Sequence, residues 1–173
     1  MKRSLLGLGL LAGIVCVAGE ALACGDKLVV VGRGLRPRSV KGGPQRASIL
    51  LYADPKGSLP SALEQGHLRK DLERAGHRLR SVTTREELKS ALSTGTYDLV
   101  FTDAKAATAV EVDANQAASK PTVMPTLYNP TAAELAAASQ QFPCVLNSPG
   151  PEKNYINVVN EALALRAKQT QKK

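Results

Sequence analysis

LRKDLERAGHRLRSVTTREELKSALSTGTYDLVFTD, residues 68–103, holds the alternation that decides the fold. Leu63, Leu68, Leu72 and Ala75 recur near helical spacing, so a helix is predicted over Leu63–Ala75, closed by Gly76 as a C-cap. His77–Val82 alternates as a strand does, with Leu79 and Val82 inward. Thr83 or Thr84 then caps a short helix whose first turn carries Glu86 and Glu87, where carboxylates favour the helix dipole. Leu88, Ala91 and Leu92 form its buried face, and Gly95 stops it. Tyr97–Thr102 is a continuous apolar run of strand length that ends at Asp103.

The same alternation extends outward on both sides. Upstream, Ser48–Ala53 (SILLYA) is a buried-type strand ending at Asp54-Pro55. Downstream, Ala104–Ser119 is an Ala-rich helix and Pro121–Leu127 (PTVMPTL) a short strand. Thr131–Gln141 is a helix behind the Asn129-Pro130 break, Pro143–Leu146 a brief strand, and Glu152–Lys168 an amphipathic helix with Ile156, Val159 and Leu163 on one face. Five strands alternating with five helices mean βαβ units and a parallel sheet, hence the α/β class.

From Ala47 to Lys168 this order resembles a response-regulator receiver domain. The likeness rests on a helix ending in Gly76-His77, on Tyr97-Asp98-Leu99-Val100 leading to Asp103, and on the PTVMPTL strand. It implies a flavodoxin-like, three-layer α/β/α fold with a five-stranded parallel sheet of order 2-1-3-4-5. Ligands of such folds sit at the carboxyl ends of the strands. The resemblance makes Asp103 the phospho-acceptor position, Thr126 the hydroxyl that follows the phosphoryl group, and Asp54 the survivor of an acidic pair for Mg²⁺, with Ala53 in the other place. A lysine should close the fifth strand, yet Val145-Leu146-Asn147-Ser148-Pro149 has none. Phosphoryl transfer depends on positioned charge, so these departures imply a degenerate receiver without phosphorylation. Asp54, Asp103 and Thr126 remain as a binding set. Asp54 and Asp103 are weak metal candidates, and Mg²⁺ is a weak cofactor candidate beside none at all.

No other constellation points to catalysis. His67 and His77 fall on different elements, and Gly-x-Ser-x-Gly and Cys-x-x-Cys are both absent. Gly32-Arg33-Gly34 lacks the third glycine of a dinucleotide fingerprint. Tyr52, Tyr97, Tyr128 and Tyr155 are scattered, as packing residues are.

Residues 1–23 carry Lys2 and Arg3, an uncharged apolar run from Leu5 to Ala18, and Ala21-Leu22-Ala23, the pattern of a cleaved signal peptide. Cleavage leaves Cys24 at the mature N-terminus and lowers the formal charge of +8 by one unit, through loss of Lys2, Arg3 and Glu20. Cys24 either pairs with Cys144 or carries a lipid, and an oxidising compartment favours the disulfide. Lipidation would make the protein a membrane-held lipoprotein. Residues 24–46 are expected to hold a strand at Lys27–Gly32, an extra N-terminal strand of the sheet, and a basic arm. Residues 47–168 are the α/β domain, and 169–173 a polar frayed tail.

The chain has 173 residues, 43% apolar and 22% charged, which excludes wholesale disorder and a polytopic membrane protein. Its aromatic content of 3% leaves no aromatic platform for nucleic acid, and export removes the chromosome as a partner. The basicity gathers in Arg33, Arg36, Arg38, Lys41 and Arg46, a strip suited to anionic envelope surfaces. The leading expectation is therefore an exported, periplasmic or secreted, non-enzymatic module that binds an envelope protein or a small ligand. A phospho-accepting receiver using Asp103, and a basic-arm binder of anionic surfaces, are the alternatives.

Overall fold

Leu99–Asp103, the third strand (β3), is buried at every position, and the rest of the domain is arranged around it. The structure is a computed structural model that describes residues 46–171, with side chains through Lys168. In chain order the elements are β1 (Ser48–Tyr52), α1 (Leu59–Glu64), α2 (Leu68–Arg74), β2 (Arg78–Val82), α3 (Arg85–Thr94), β3, α4 (Ala107–Gln116), β4 (Thr122–Tyr128), α5 (Ala132–Gln141), β5 (Leu146–Ser148) and α6 (Glu152–Gln171). All strand pairs are parallel and the sheet order is β2-β1-β3-β4-β5. This is the three-layer, flavodoxin- and receiver-like α/β/α architecture that the resemblance implies, with the parallel sheet expected from the alternation.

Strand alternation sorts the core into two halves. Ile49, Leu51, Leu99, Phe101, Met124 and Leu146 face α1, α2 and α6. Leu50, Tyr52, Val82 and Val100 face the other way, against Leu88 and Leu92 of α3 and Val110 of α4. Register carries the pattern across the sheet, with Ile49 beside Leu99 and Phe101 beside Met124. Capping boxes start α3 at Thr84–Glu87 and α5 at Thr131–Glu134. In both, hydrogen bonds from the threonine backbone hold the glutamate pKa below its usual value.

The helix expected over Leu63–Ala75 is two helices, α1 and α2. Gly66 and His67 separate them, with His67 at a positive φ of 57°. A side chain at Gly66 would strike Ser148 Oγ and the Ala62 carbonyl, so the close approach of β5 requires glycine there. The fifth strand is Leu146–Ser148 rather than Pro143–Leu146. The last helix buries Tyr155, Val158, Val159 and Ala162 and runs to Gln171, while Ile156 and Leu163 are only half-buried.

Among the described residues no Sγ–Sγ bond closes, because Cys144 is the single cysteine there. Cys144 is nonetheless disulfide-bonded, and its expected partner Cys24 lies outside the described residues. Cys144 is packed in the apolar half-core that contains Leu146 and Tyr155. The expected signal peptide, the Lys27–Gly32 strand and the arm residues Arg33, Arg36, Arg38 and Lys41 also lie outside the described residues. Arg46 is described and exposed, its side chain lying over Gly76. Among the described residues no helix is long and apolar enough to cross a membrane.

His77 is buried, and its Nδ1 accepts a hydrogen bond from the Ala47 backbone N–H at 3.1 Å. Nδ1 is therefore unprotonated, and desolvation lowers the imidazole pKa from 6.5. The unfolded chain takes up this proton first, so stability falls as pH drops below about 6.5 and levels off below the folded-state pKa. Denaturant unfolding from about pH 7.5 to about pH 5 is expected to show this loss, reduced in His77→Gln. An equal slope in the variant would remove His77 as its source.

Candidate functional site

The carboxyl ends of β1, β3, β4 and β5 meet at one edge of the sheet and gather the expected residues there. Asp103 ends β3 on the same side as Leu99 and Phe101, facing α1, and is 7% exposed. A carboxylate that deep needs donors, and Asp103 has three. Its Oδ2 accepts from the Ser58 backbone N–H, and from the Ser58 hydroxyl at 2.8 Å. Its Oδ1 accepts from the Lys105 backbone N–H at 3.2 Å.

The β1–α1 loop is built to reach this carboxylate. Asp54 Oδ1 accepts from the Lys56 N–H at 2.9 Å, and the Gly57 N–H donates to the Asp54 carbonyl at 2.9 Å, making a tight turn. The turn lays Gly57 directly on Asp103: a Cβ at Gly57 would come within 2.8 Å of Oδ2. Ser58 then precedes α1, whose start holds Leu59 and Pro60. The Ser58 hydroxyl makes no cap bond to its own helix and is spent on Asp103 instead.

The Asp54 carboxylate is engaged within its own loop, on the Lys56 N–H. Tyr52 is in register with Thr102, so the next β1 position beside Asp103 belongs to Ala53, which packs with the α1/α2/α6 half of the core. The Asp54 carboxylate acts on Tyr52, in the other half. After burial, it is the main influence raising the Tyr52 phenol above 10.0. Mg²⁺ at the receiver position would need an acidic pair after β1 and open oxygens on Asp103. With Ala53 in place and both Asp103 oxygens hydrogen-bonded to the chain, the residues do not fit that ion. Among the described residues no group of three or more His, Cys, Asp or Glu side chains is placed to hold a metal.

Thr126 is the register partner of Asp103, fully buried, and its Oγ1 makes no hydrogen bond to the described residues. The residue closing β5, where the resemblance expected lysine, is Ser148. Ser148 is fully buried, its Oγ lying 3.2 Å from the Tyr155 hydroxyl. That hydroxyl also accepts from the Gly150 N–H at 2.6 Å and reaches the Gly66 carbonyl at 3.3 Å. The fourth corner of the edge is thus a neutral hydrogen-bonded cluster that joins α6, the β5 end and the α1–α2 break. Peptide Ser148-Pro149 there is cis.

Strand register brings Asp103 and Thr126 side by side, while Gly57, Ser58 and Tyr155 join the site without being singled out for it by the sequence. Ser58 was within reach, since Ser before Leu-Pro is a helix-start signature. Which carboxylate its hydroxyl would meet depends on the loop path and was not readable. No family model, curated protein or solved structure matches the chain.

Removing the Asp103 carboxylate leaves the Ser58 and Lys105 N–H groups unpaired. Asp103→Ala is expected to destabilise the domain by about 1–3 kcal/mol in denaturant unfolding. A loss below about 0.5 kcal/mol, ordinary for a surface position, would contradict this geometry.

Proposed function

We propose that the chain is an exported, non-enzymatic receiver-like module that acts by binding, and that Asp103 serves as an internal fastener rather than a phospho-acceptor. The observation that carries the reading is the occupation of Asp103: Gly57 lies against it, and Ser58 and Lys105 supply its hydrogen bonds. An in-line phosphoryl donor needs an approach to a carboxylate oxygen, and charges around it to stabilise the transferring group. Here the approach is filled by chain, the Mg²⁺-binding partner is Ala53, and the charge expected at the end of β5 is replaced by Ser148.

Export rests on the amino-terminal sequence: basic Lys2 and Arg3, the apolar run to Ala18, and the small residues before Cys24. Outside the inner membrane an ATP-fed histidine kinase would not reach Asp103, which agrees with a fold kept for recognition. Partners of such a module are envelope proteins or small ligands.

Protein recovered from the envelope fraction is expected to begin at Cys24. Incubated with acetyl phosphate and Mg²⁺, it is expected to keep its unmodified mass. A phosphoryl adduct mapped to Asp103 would overturn the fastener reading, and a retained Met1 would overturn export.

A further inference from the structure

Of the arginines among the described residues, Arg74, Arg85 and Arg166 are ion-paired, with Asp71 and Glu152, with Asp113 and with Asp98. The other four, Arg46, Arg69, Arg78 and Arg80, make no ion pair among the described residues, and all four gather at the β2 edge of the sheet. Arg78 and Arg80 are exposed on β2 itself, on the face toward α3. Arg69 reaches the strand from α2 on the opposite face, its Nη2 donating to the Ser81 hydroxyl at 3.0 Å. Arg46 lies over Gly76, in the turn that leads into β2. Arg80 Nη1 donates to the Tyr97 hydroxyl at 3.1 Å. A guanidinium held by a neutral hydroxyl is fixed in place and keeps its full charge, with further N–H groups left to donate.

The strand between these charges is open. β2 pairs only with β1 among the described strands, and Arg78, Arg80 and Ser81 are exposed. The Arg78 N–H donates to the Ala47 carbonyl at 2.8 Å, and the Val82 carbonyl accepts from the Ala53 N–H at 2.9 Å, so these residues turn their backbone toward β1. By the two-residue period of a strand, Leu79 and Ser81 turn their N–H and C=O groups outward. An occupant of this edge has to supply negative charge spaced along a line and partners for backbone amides. A second copy paired through β2 would set arginine against arginine. Outside the described residues the chain carries only Glu20 and Asp26 as acids, so it has no acidic run of its own to place there. A lipid surface answers the charge but offers no ladder of donors and acceptors to Leu79 and Ser81.

From this juxtaposition we infer that the β2 edge is a docking site for an extended acidic segment of a partner protein, added as a further strand beside β2. Backbone hydrogen bonds to Leu79 and Ser81 hold the segment, and its alternate carboxylates, about 7 Å apart, meet Arg78 and Arg80 on one face of the sheet. Glu86 and Glu87 line the groove beside the carboxyl end of β2, so the acidic run stops short of them. The same arginines turn away strands of like charge, which makes the edge selective as well as attractive. The inference deepens the binding-module reading and rests on it, by naming the class of partner. It fails separately: phosphorylation of Asp103 would overturn that reading without touching β2, whereas the titration below addresses β2 alone.

The test is an NMR titration of the full exported chain with an acetylated, amidated pentapeptide of alternating glutamate and threonine. Saturable shifts are expected at the backbone amides of Leu79 and Ser81, with an affinity that falls as salt is raised. The same peptide with glutamine in place of glutamate is expected to bind at least about tenfold more weakly. Arg78→Gln is expected to weaken the glutamate peptide about two- to fivefold, whereas Lys120→Gln, which removes the same charge ahead of β4, leaves it unchanged. No shift up to about 5 mM peptide, equal binding of the two peptides, or equal effects of the two variants would each overturn the inference. So would sedimentation with phosphatidylglycerol vesicles and no response to either peptide, which would mark a lipid surface. Shifts at β2 that grow with protein concentration in the absence of peptide would overturn it too, as pairing of two copies.

Discussion

The Asp103 carboxylate lies beneath main chain, and that single burial organises the edge of the sheet where folds of this type recognise their ligands. β3 is enclosed on both faces, so its last residue emerges under α1 rather than into water. A carboxyl group in that position needs donors close by, and Ser58 of the β1–α1 loop supplies two of them. The loop then has little freedom. Gly57 must lack a side chain, Ser58 must present both N–H and hydroxyl, and α1 must begin where Leu59 and Pro60 begin it.

A second cluster, built from neutral groups, mirrors this arrangement at the other end of the edge. Tyr155 reaches from α6 to Ser148, Gly150 and Gly66, joining three segments far apart in the chain. Its hydroxyl stands next to the position where a receiver's chemistry would want a cation. Together the two clusters tie the β1–α1 loop, the end of β5 and α6 to this edge by hydrogen bonds, while the Thr126 hydroxyl between them makes none to the described residues. At the opposite end of the sheet, Arg166 of α6 pairs with Asp98 and donates to the Ser119 carbonyl at 2.8 Å, while Asp98 accepts from the Ser48 N–H at 2.9 Å. The last helix is thereby tied to the sheet near both ends, through Tyr155 and through Arg166.

Much of the fold was legible because burial leaves a periodic trace. Apolar runs such as SILLY and LVFT identified β1 and β3, and Leu88, Ala91 and Leu92 identified the inward face of α3. The α1–α2 break was less visible, although Leu63 and Leu68 stand five apart, a step that misses helical phase. The displaced fifth strand had no such trace, since Pro143–Leu146 and Leu146–Ser148 are both too short to show a period. The site divides similarly. Asp103 and Thr126 follow from the resemblance to a receiver domain, whereas the partnership of Asp103 with Ser58 spans 45 positions and is set by how one turn packs. Long-range hydrogen bonds between a loop and a buried carboxylate leave no periodicity to read.

The most direct measurement of the central claim is amide hydrogen exchange at Ser58 and Lys105. If Asp103 holds these two N–H groups, their exchange is expected to be slowed well beyond that of ordinary surface loops, toward the protection of β1 and β3. Exchange of both at the rate of an unprotected loop would show an open β1–α1 loop and an Asp103 available to solvent, and would contradict the account.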